Sequence, residues 1–268
     1  MKIQKGKQLD FTIEDVNNVY SGPVGVLWEM LMGEQIHVGG EKETEILAQK
    51  ARLKKNTVVL DICSALGGPA RYLARTIGCT IVGLDATQHM IDEAVKRTQQ
   101  QSLSHLISFK LGNALDIPFK SETFDVVIGQ DAWCYVTDKN RLLSEAKRVL
   151  KPQGIIAFSD WLQIGTMTDT EWNELNSFMA FPYMETLEGY RTELEKLGFH
   201  IIEAEDLSKD FARHCHLYQD MLRTKLKPGI IEKYGAELFT AADNGLVQWV
   251  RAADESKVGR GRIIAQKQ

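Results

Sequence analysis

Short runs of β-branched and apolar residues alternate along the chain with stretches of helical periodicity. TVVLDI (57–62), TIVGLD (80–85), LISFKL (106–111), FDVVIGQ (124–130) and GIIAFSD (154–160) have the length and near-continuous hydrophobicity of buried strands. Between them ARYLARTI (70–77), QHMIDEAVKRTQQQ (88–101) and NRLLSEAKRVL (140–150) repeat their apolar residues every three or four positions, the spacing of a helix with one buried face. ELEKLGFHIIEAED adds another helix and strand, and GRGRIIAQK a closing strand, for seven strands in all. Strand-helix alternation predicts right-handed crossovers and an α/β fold, a mainly parallel sheet with helices on both faces. Ligands of such sheets bind at the carboxyl ends of the strands.

Three segments break the alternation. Residues 1–40 are rich in large apolar groups and precede the first strand, while about 161–187 and 207–245 are too long for simple loops. They predict an N-terminal lid and two helical cap insertions on a domain spanning 41–268.

Net charge of −4 and a pI of about 5.9 offer no footprint for nucleic acid or an anionic membrane. The basic residues Arg251, Lys257, Arg260 and Arg262, interrupted by Asp254 and Glu255, read as a solvated face. Four separated cysteines form no CxxC pair, which predicts reduced thiols without disulfide or zinc. The opening MKIQKGKQLDFTIEDV has no signal-peptide core, and no apolar run reaches membrane-span length, so the expected location is cytoplasmic. A monomer or homodimer is expected. His214 and His216 flank Cys215 at positions that diverge on a helix, and no metal is expected there.

The turn DICSALGG after the first strand carries the chemistry. A dinucleotide turn uses glycines to bring the backbone against a pyrophosphate. Here Cys63 and Ala65 replace two of them, and acidic Asp61 ends the strand, which suits a ligand bearing a cationic amine. Asp85 ends the second strand, where a carboxylate accepts both hydroxyls of a ribose. A ribose plus an amino acid without phosphate describes S-adenosylmethionine.

Through VVLDICSALGG, VGLD, GNALDIPF, FDVVIGQDAWCYV and LKPQGIIAFSDW in order, residues 57–160 resemble the class I S-adenosylmethionine-dependent methyltransferases, whose fold is a Rossmann-like seven-stranded sheet. The resemblance implies that Asp61, Cys63, Ala65 and Gly67 cradle the methionine end. It implies that Asp85 holds the ribose, Asn113 and Ala114 the adenine, that the adjoining Ala86 also contacts the cofactor, and that Gln130 sits by the methionine carboxylate or amine. The segment YSGPVGVLWEMLMGEQIHVGGEKET further resembles the lid of small-amine methyltransferases, those acting on phosphoethanolamine, sarcosine and dimethylglycine. On that likeness Tyr20 falls on a lid tyrosine, Tyr135 replaces its histidine partner, and Asp131 faces the acceptor amine. Trp28, Trp133 and Trp161 could line an aromatic box for a methylated cation. Tyr183, His37, and Arg213 with His214 or His216 from the second insertion are further candidates for acceptor contact. The first insertion has no Arg or Lys before Arg191, which speaks against a phosphate-bearing acceptor. The expected partner is a small-molecule methyl acceptor, most simply an amine. Oxygen, sulfur and carbon acceptors stay open, as does a silent module that binds the cofactor without transfer.

Overall fold

The computed structural model describes residues 3–268. Seven strands form one sheet in the order β3-β2-β1-β4-β5-β7-β6. They are β1 (Val58–Ile62), β2 (Thr80–Asp85), β3 (Ile107–Leu111), β4 (Phe124–Gln130), β5 (Leu150–Gln163), β6 (Phe199–Asp206) and β7 (Val258–Lys267). The first five are parallel, and β7 runs antiparallel to both β5 and β6, between which it is inserted. Strands covered on both faces need apolar residues at every position. Accordingly Val59, Leu60 and Ile62 of β1 are all fully buried.

Helices α4 (Gly68–Thr76), α5 (Gln88–Gln100) and α6 (Lys139–Val149) are the crossovers the periodicity predicts, and α3 (Gly40–Lys50) packs beside α4. Leu47, Ala70, Leu73 and Ala74 form one core layer with Val59 and Ile81, and Leu142, Leu143 and Ala146 form the other with Leu60 and Val127. The switch in strand order lies between β1 and β4, so the carboxyl ends of β1, β2 and β4 open together.

A third, aromatic core lies outside the sheet, where the N-terminal helices meet the two insertions. The N-terminal segment forms α1 (Ile13–Ser21), started by a Thr12–Asp15 capping box, and α2 (Pro23–Met32), with proline in its first turn. The first insertion begins later than expected, because Trp161 to Gln163 continue β5; its helix is α7 (Asp169–Met179), followed by α8 (Leu187–Lys196), the helix that leads into β6. The second holds α9 (Ser208–Met221), a π-helical turn (Leu222–Leu226), α10 (Lys227–Tyr234) and α11 (Ala236–Asp254), which runs nine residues past the expected end.

One expectation is overturned by the position of β7. Arg260 and Arg262 are buried, not a solvated face. Arg260 Nε donates to Asp131 Oδ1 at 2.8 Å and its Nη1 to Glu43 Oε2 at 2.9 Å, while Arg262 binds Glu43 at 3.0 Å and Glu205 at 2.7 Å. A guanidinium tolerates burial when carboxylates and hydroxyls satisfy its fixed fork of donors, and the inserted strand brings those partners from α3, β6 and the loop after β4.

Candidate active site

The turn after β1 answers why two residues stand where glycines are usual. Cys63 (φ 63°), Ala65 (φ 44°) and Gly67 (φ 70°) all adopt left-handed backbone, the conformation glycine would supply without strain. Ile36 (φ 51°) and Asp131 (φ 55°), which share it, line the same cavity as Cys63 and Ala65. That cavity is lined by Asp61, Cys63, Ala65, Asp85, Gln130, Tyr20 and Tyr135 among others.

Asp61 is buried, and its Oδ2 has no hydrogen-bond partner among the described residues. Burial, reinforced by the Asp85 charge, pushes its carboxyl up to about 8. An unpartnered buried acid costs stability unless a ligand cation joins it, and the α-ammonium of S-adenosylmethionine is a cation of the right kind. Asp85 is held in place by its own strand end: Oδ2 accepts from Ala65 N at 2.8 Å and Oδ1 from Thr87 N at 2.9 Å. Each oxygen keeps a lone pair for a diol. Burial raises its pKa, opposed by those backbone donors. Beyond it a second, contiguous cavity of about 290 Å³ is lined by Ala86, Asn113, Ala114 and Leu115, with Phe11, Val16 and Asn17 from the N-terminal segment. Asn113 Oδ1 accepts from Leu115 N at 2.9 Å, which fixes the amide and turns its NH2 group free. Gln130 lines the first cavity with its side-chain amide 3.2 Å from Thr44 Oγ1.

Next to the turn a narrow aromatic cleft is walled by Tyr20, Trp28, Met32, Ile36, Asp131, Tyr135, Trp161, Met179 and Phe181. Tyr20 donates its hydroxyl to Tyr135 at 2.8 Å, with the rings edge to face at 5.5 Å. Phe181 stands edge-on to Tyr135 at 4.7 Å and to Trp161 at 5.5 Å. The sequence-predicted Tyr20, Tyr135, Trp28 and Trp161 therefore meet in one place, from α1, the turn after β4, α2 and β5.

Other candidates lie elsewhere. Asp131 borders the cavity, but its Oδ1 is held by Arg260 and by Ser159 Oγ at 2.6 Å and its Oδ2 by Val38 N at 2.9 Å, and the Arg260 charge keeps its pKa low despite burial. The expected free acid facing an amine is instead a structural ion pair. Trp133 turns its ring over Gly129 and stacks on Phe158 at 4.2 Å, deep in the sheet core. His37 is buried against Thr44 Oγ1 (2.9 Å) and the Val38 carbonyl, and burial lowers its pKa to about 4, so it packs as a neutral ring. Arg213 and His216 are exposed and pair with Asp210 and Asp254, and His214 bonds the Asp210 carbonyl, because Cys215 between the two histidines takes the buried face of α9. Tyr183 bonds Glu185 at 3.3 Å outside the aromatic cavity.

Two groups escaped the sequence reading. Arg71 of α4 is fully buried and bridges the Leu66 carbonyl and Glu34, both at 2.6 Å, tying the glycine turn to the N-terminal segment. Lys139, also buried, donates to the carbonyls of Trp133 (2.8 Å), Tyr183 (3.2 Å) and Val136, so an ammonium at the start of α6 fixes the turn that carries Tyr135. Its burial lowers its pKa, opposed by the charge of Asp160, whose own carboxyl burial raises to about 6. A lysine in a first helical turn gives no sequence signal of this role.

Residues 60–158 match the methyltransferase domain family. The chain is 31% identical to a glycine/sarcosine/dimethylglycine N-methyltransferase of Actinopolyspora halophila, covering 96% of this chain and 46% of that protein. It is 28% identical to a sarcosine/dimethylglycine N-methyltransferase of Halorhodospira halochloris, covering 96% of this chain and 94% of that one. The chain thus spans about half the length of the first relative and nearly all of the second. The fold superimposes on Haemonchus contortus phosphoethanolamine N-methyltransferase 2 with a TM-score of 0.87 at 21% identity, over 96% of this chain and 60% of that one. Over residues 60–158 the chain carries a methyltransferase domain, and its fold is that of the phosphoethanolamine enzyme.

Proposed function

We propose that the protein transfers a methyl group from S-adenosylmethionine to the nitrogen of a small amine. The observation that carries this reading is the meeting of two unlike cavities at one turn: a polar one with an unpartnered buried acid, Asp61, and a small aromatic one behind Tyr20 and Tyr135. The relatives' names, glycine/sarcosine/dimethylglycine methyltransferases, support an amine as acceptor.

S-adenosylmethionine supplies an electrophilic methyl group on a sulfonium. In this reading Asp61 binds the cofactor ammonium, the Gln130 amide its carboxylate, Asp85 the ribose hydroxyls, and Asn113 with Ala86 and Ala114 the adenine. The left-handed backbone at Cys63, Ala65 and Gly67 lets the cofactor lie against the turn. Residues 3–40 act as a lid over both cavities, clasped by the Arg71–Glu34 pair. Tyr20 and Tyr135 orient the acceptor. Burial raises both phenols far above neutral, so they position by hydrogen bonding and do not serve as bases. Catalysis rests on alignment and exclusion of water, which suffices for in-line displacement between a neutral nucleophile and a sulfonium.

The test is formation of S-adenosylhomocysteine with a panel of amines, thiols and phenols. Amine-dependent turnover is expected. Turnover with thiols or phenols alone refutes the amine reading, and cofactor binding without turnover by any acceptor identifies a silent module.

A further inference from the structure

The aromatic cavity is as informative for what it lacks as for what it holds. Its nine lining residues include no lysine, arginine or histidine, and neither does the larger cavity beside it. The cationic groups packed behind the walls are already engaged. Arg260 is shared among Asp131, Glu43 and Ser159, and the Lys139 ammonium has three carbonyl partners. His37 is closed off by Thr44 and the Val38 carbonyl. Among the described residues, none around the cavity is left to neutralise an anionic tail on an acceptor. A buried carboxylate or phosphate without a cation or several donors carries a large desolvation cost. A cation, by contrast, is welcome against ring faces, most of all tryptophan.

Resting on the amine reading above, we propose that the acceptor is a small amine bearing neither carboxylate nor phosphate, and that its methylated cation sits against Tyr20 and Tyr135, which line both cavities, with Trp28, Trp161 and Phe181 behind them. The nitrogen lone pair forms the new N–C bond as the C–S bond breaks, and that electron pair stays on sulfur, leaving a neutral thioether. The positive charge passes from sulfur to nitrogen, into the aromatic box. A tertiary amine loses no proton in this step, which suits a cavity whose only carboxylate is locked in an ion pair.

The experiment compares acceptors that share one nitrogen and differ only in the tail: N,N-dimethylethanolamine, N,N-dimethylglycine and the phosphate ester of N,N-dimethylethanolamine. The neutral-tailed amine is expected to exceed both others in kcat/KM by about a hundredfold or more, the scale of one uncompensated buried charge. Equal or faster turnover of N,N-dimethylglycine or of the phosphate ester overturns this inference and leaves the amine reading intact. Turnover of no amine at all removes both. Binding gives an independent readout. With S-adenosylhomocysteine present, tetramethylammonium should quench tryptophan fluorescence through Trp28 and Trp161, and glycine betaine should bind at least tenfold more weakly. Betaine binding as tight as tetramethylammonium refutes the proposal without reference to turnover.

Discussion

Replacing Asp61 by asparagine removes a charge while keeping shape, and its effect should depend on pH in a direction fixed by burial. In the free protein the carboxyl, raised to about 8, is largely protonated at neutral pH. Binding an ammonium requires the ionised form, so cofactor binding releases a proton, and affinity rises with pH until the group is ionised without help. From about pH 6 to pH 8 the ionised fraction grows about fiftyfold; partial loss of the ligand's own ammonium proton near the upper end trims the gain to about twenty- to fiftyfold. Titration calorimetry of S-adenosylhomocysteine in buffers of different ionisation enthalpy measures both affinity and proton release. The parent should show close to one proton released near pH 6.5. Asp61→Asn should bind about ten- to a hundredfold more weakly at pH 8, the scale of a charge-assisted hydrogen bond, with little change between pH 6 and 8. The same raised pKa means that the free protein loses stability as pH climbs from the ordinary carboxyl range through about 8, an effect the asparagine variant should lack in part. A parent affinity flat with pH, or an equal slope in Asp61→Asn, refutes the assignment of Asp61 to the cofactor amine.

Tyr20→Phe and Tyr135→Phe each break the 2.8 Å hydroxyl pair while keeping the rings. Each should lower acceptor kcat/KM about five- to hundredfold with cofactor affinity preserved, and a pH–rate profile shifted along the pH axis would show a base instead of an orienting group. Asp131→Ala leaves the buried Arg260 with Glu43 as its one carboxylate partner among the described residues and should cost about 1.5–3 kcal/mol of unfolding free energy in denaturant titration. Asp131→Leu combined with Arg260→Met should recover most of that loss, and no recovery would argue against the ion pair as the cause. A methyl group added at Gly68 would stand 2.2 Å from the Glu34 carbonyl oxygen, so Gly68→Ala should displace the N-terminal segment from the turn. Faster hydrogen exchange across residues 13–36 with the sheet unchanged is the expected signature.

The sheet was legible because strands buried on both faces announce themselves as continuous β-branched runs, and the two acids at the ends of β1 and β2 stand out against them. Tyr20, Trp28, Tyr135 and Trp161 were legible as a group from their places in the N-terminal segment and just after strand ends. What escaped depends on contacts distant in sequence. Asp131 looked like a free acid because its partner Arg260 is 129 positions away, on a strand whose Gly-Arg repeat reads as surface. Trp133 looked like a box residue, yet Gly129 four residues earlier gives its ring a seat in the core. Arg213 and His216 were plausible by composition alone; which face of α9 is buried is set by Phe211, Cys215 and Tyr218. Lys139 and Arg71 gave no signal, since backbone carbonyls as partners leave no trace in a sequence.

The most direct test follows the methyl carbon itself. The protein, S-adenosylmethionine labelled with carbon-13 at the methyl group, and N,N-dimethylethanolamine are mixed, and proton–carbon correlation spectra are recorded over time. The account predicts a growing N-methyl signal of a quaternary ammonium that matches S-adenosylhomocysteine formation one for one and vanishes in Asp85→Ala. Label arriving on oxygen, sulfur or carbon, or S-adenosylmethionine bound yet never consumed with any amine, would contradict it.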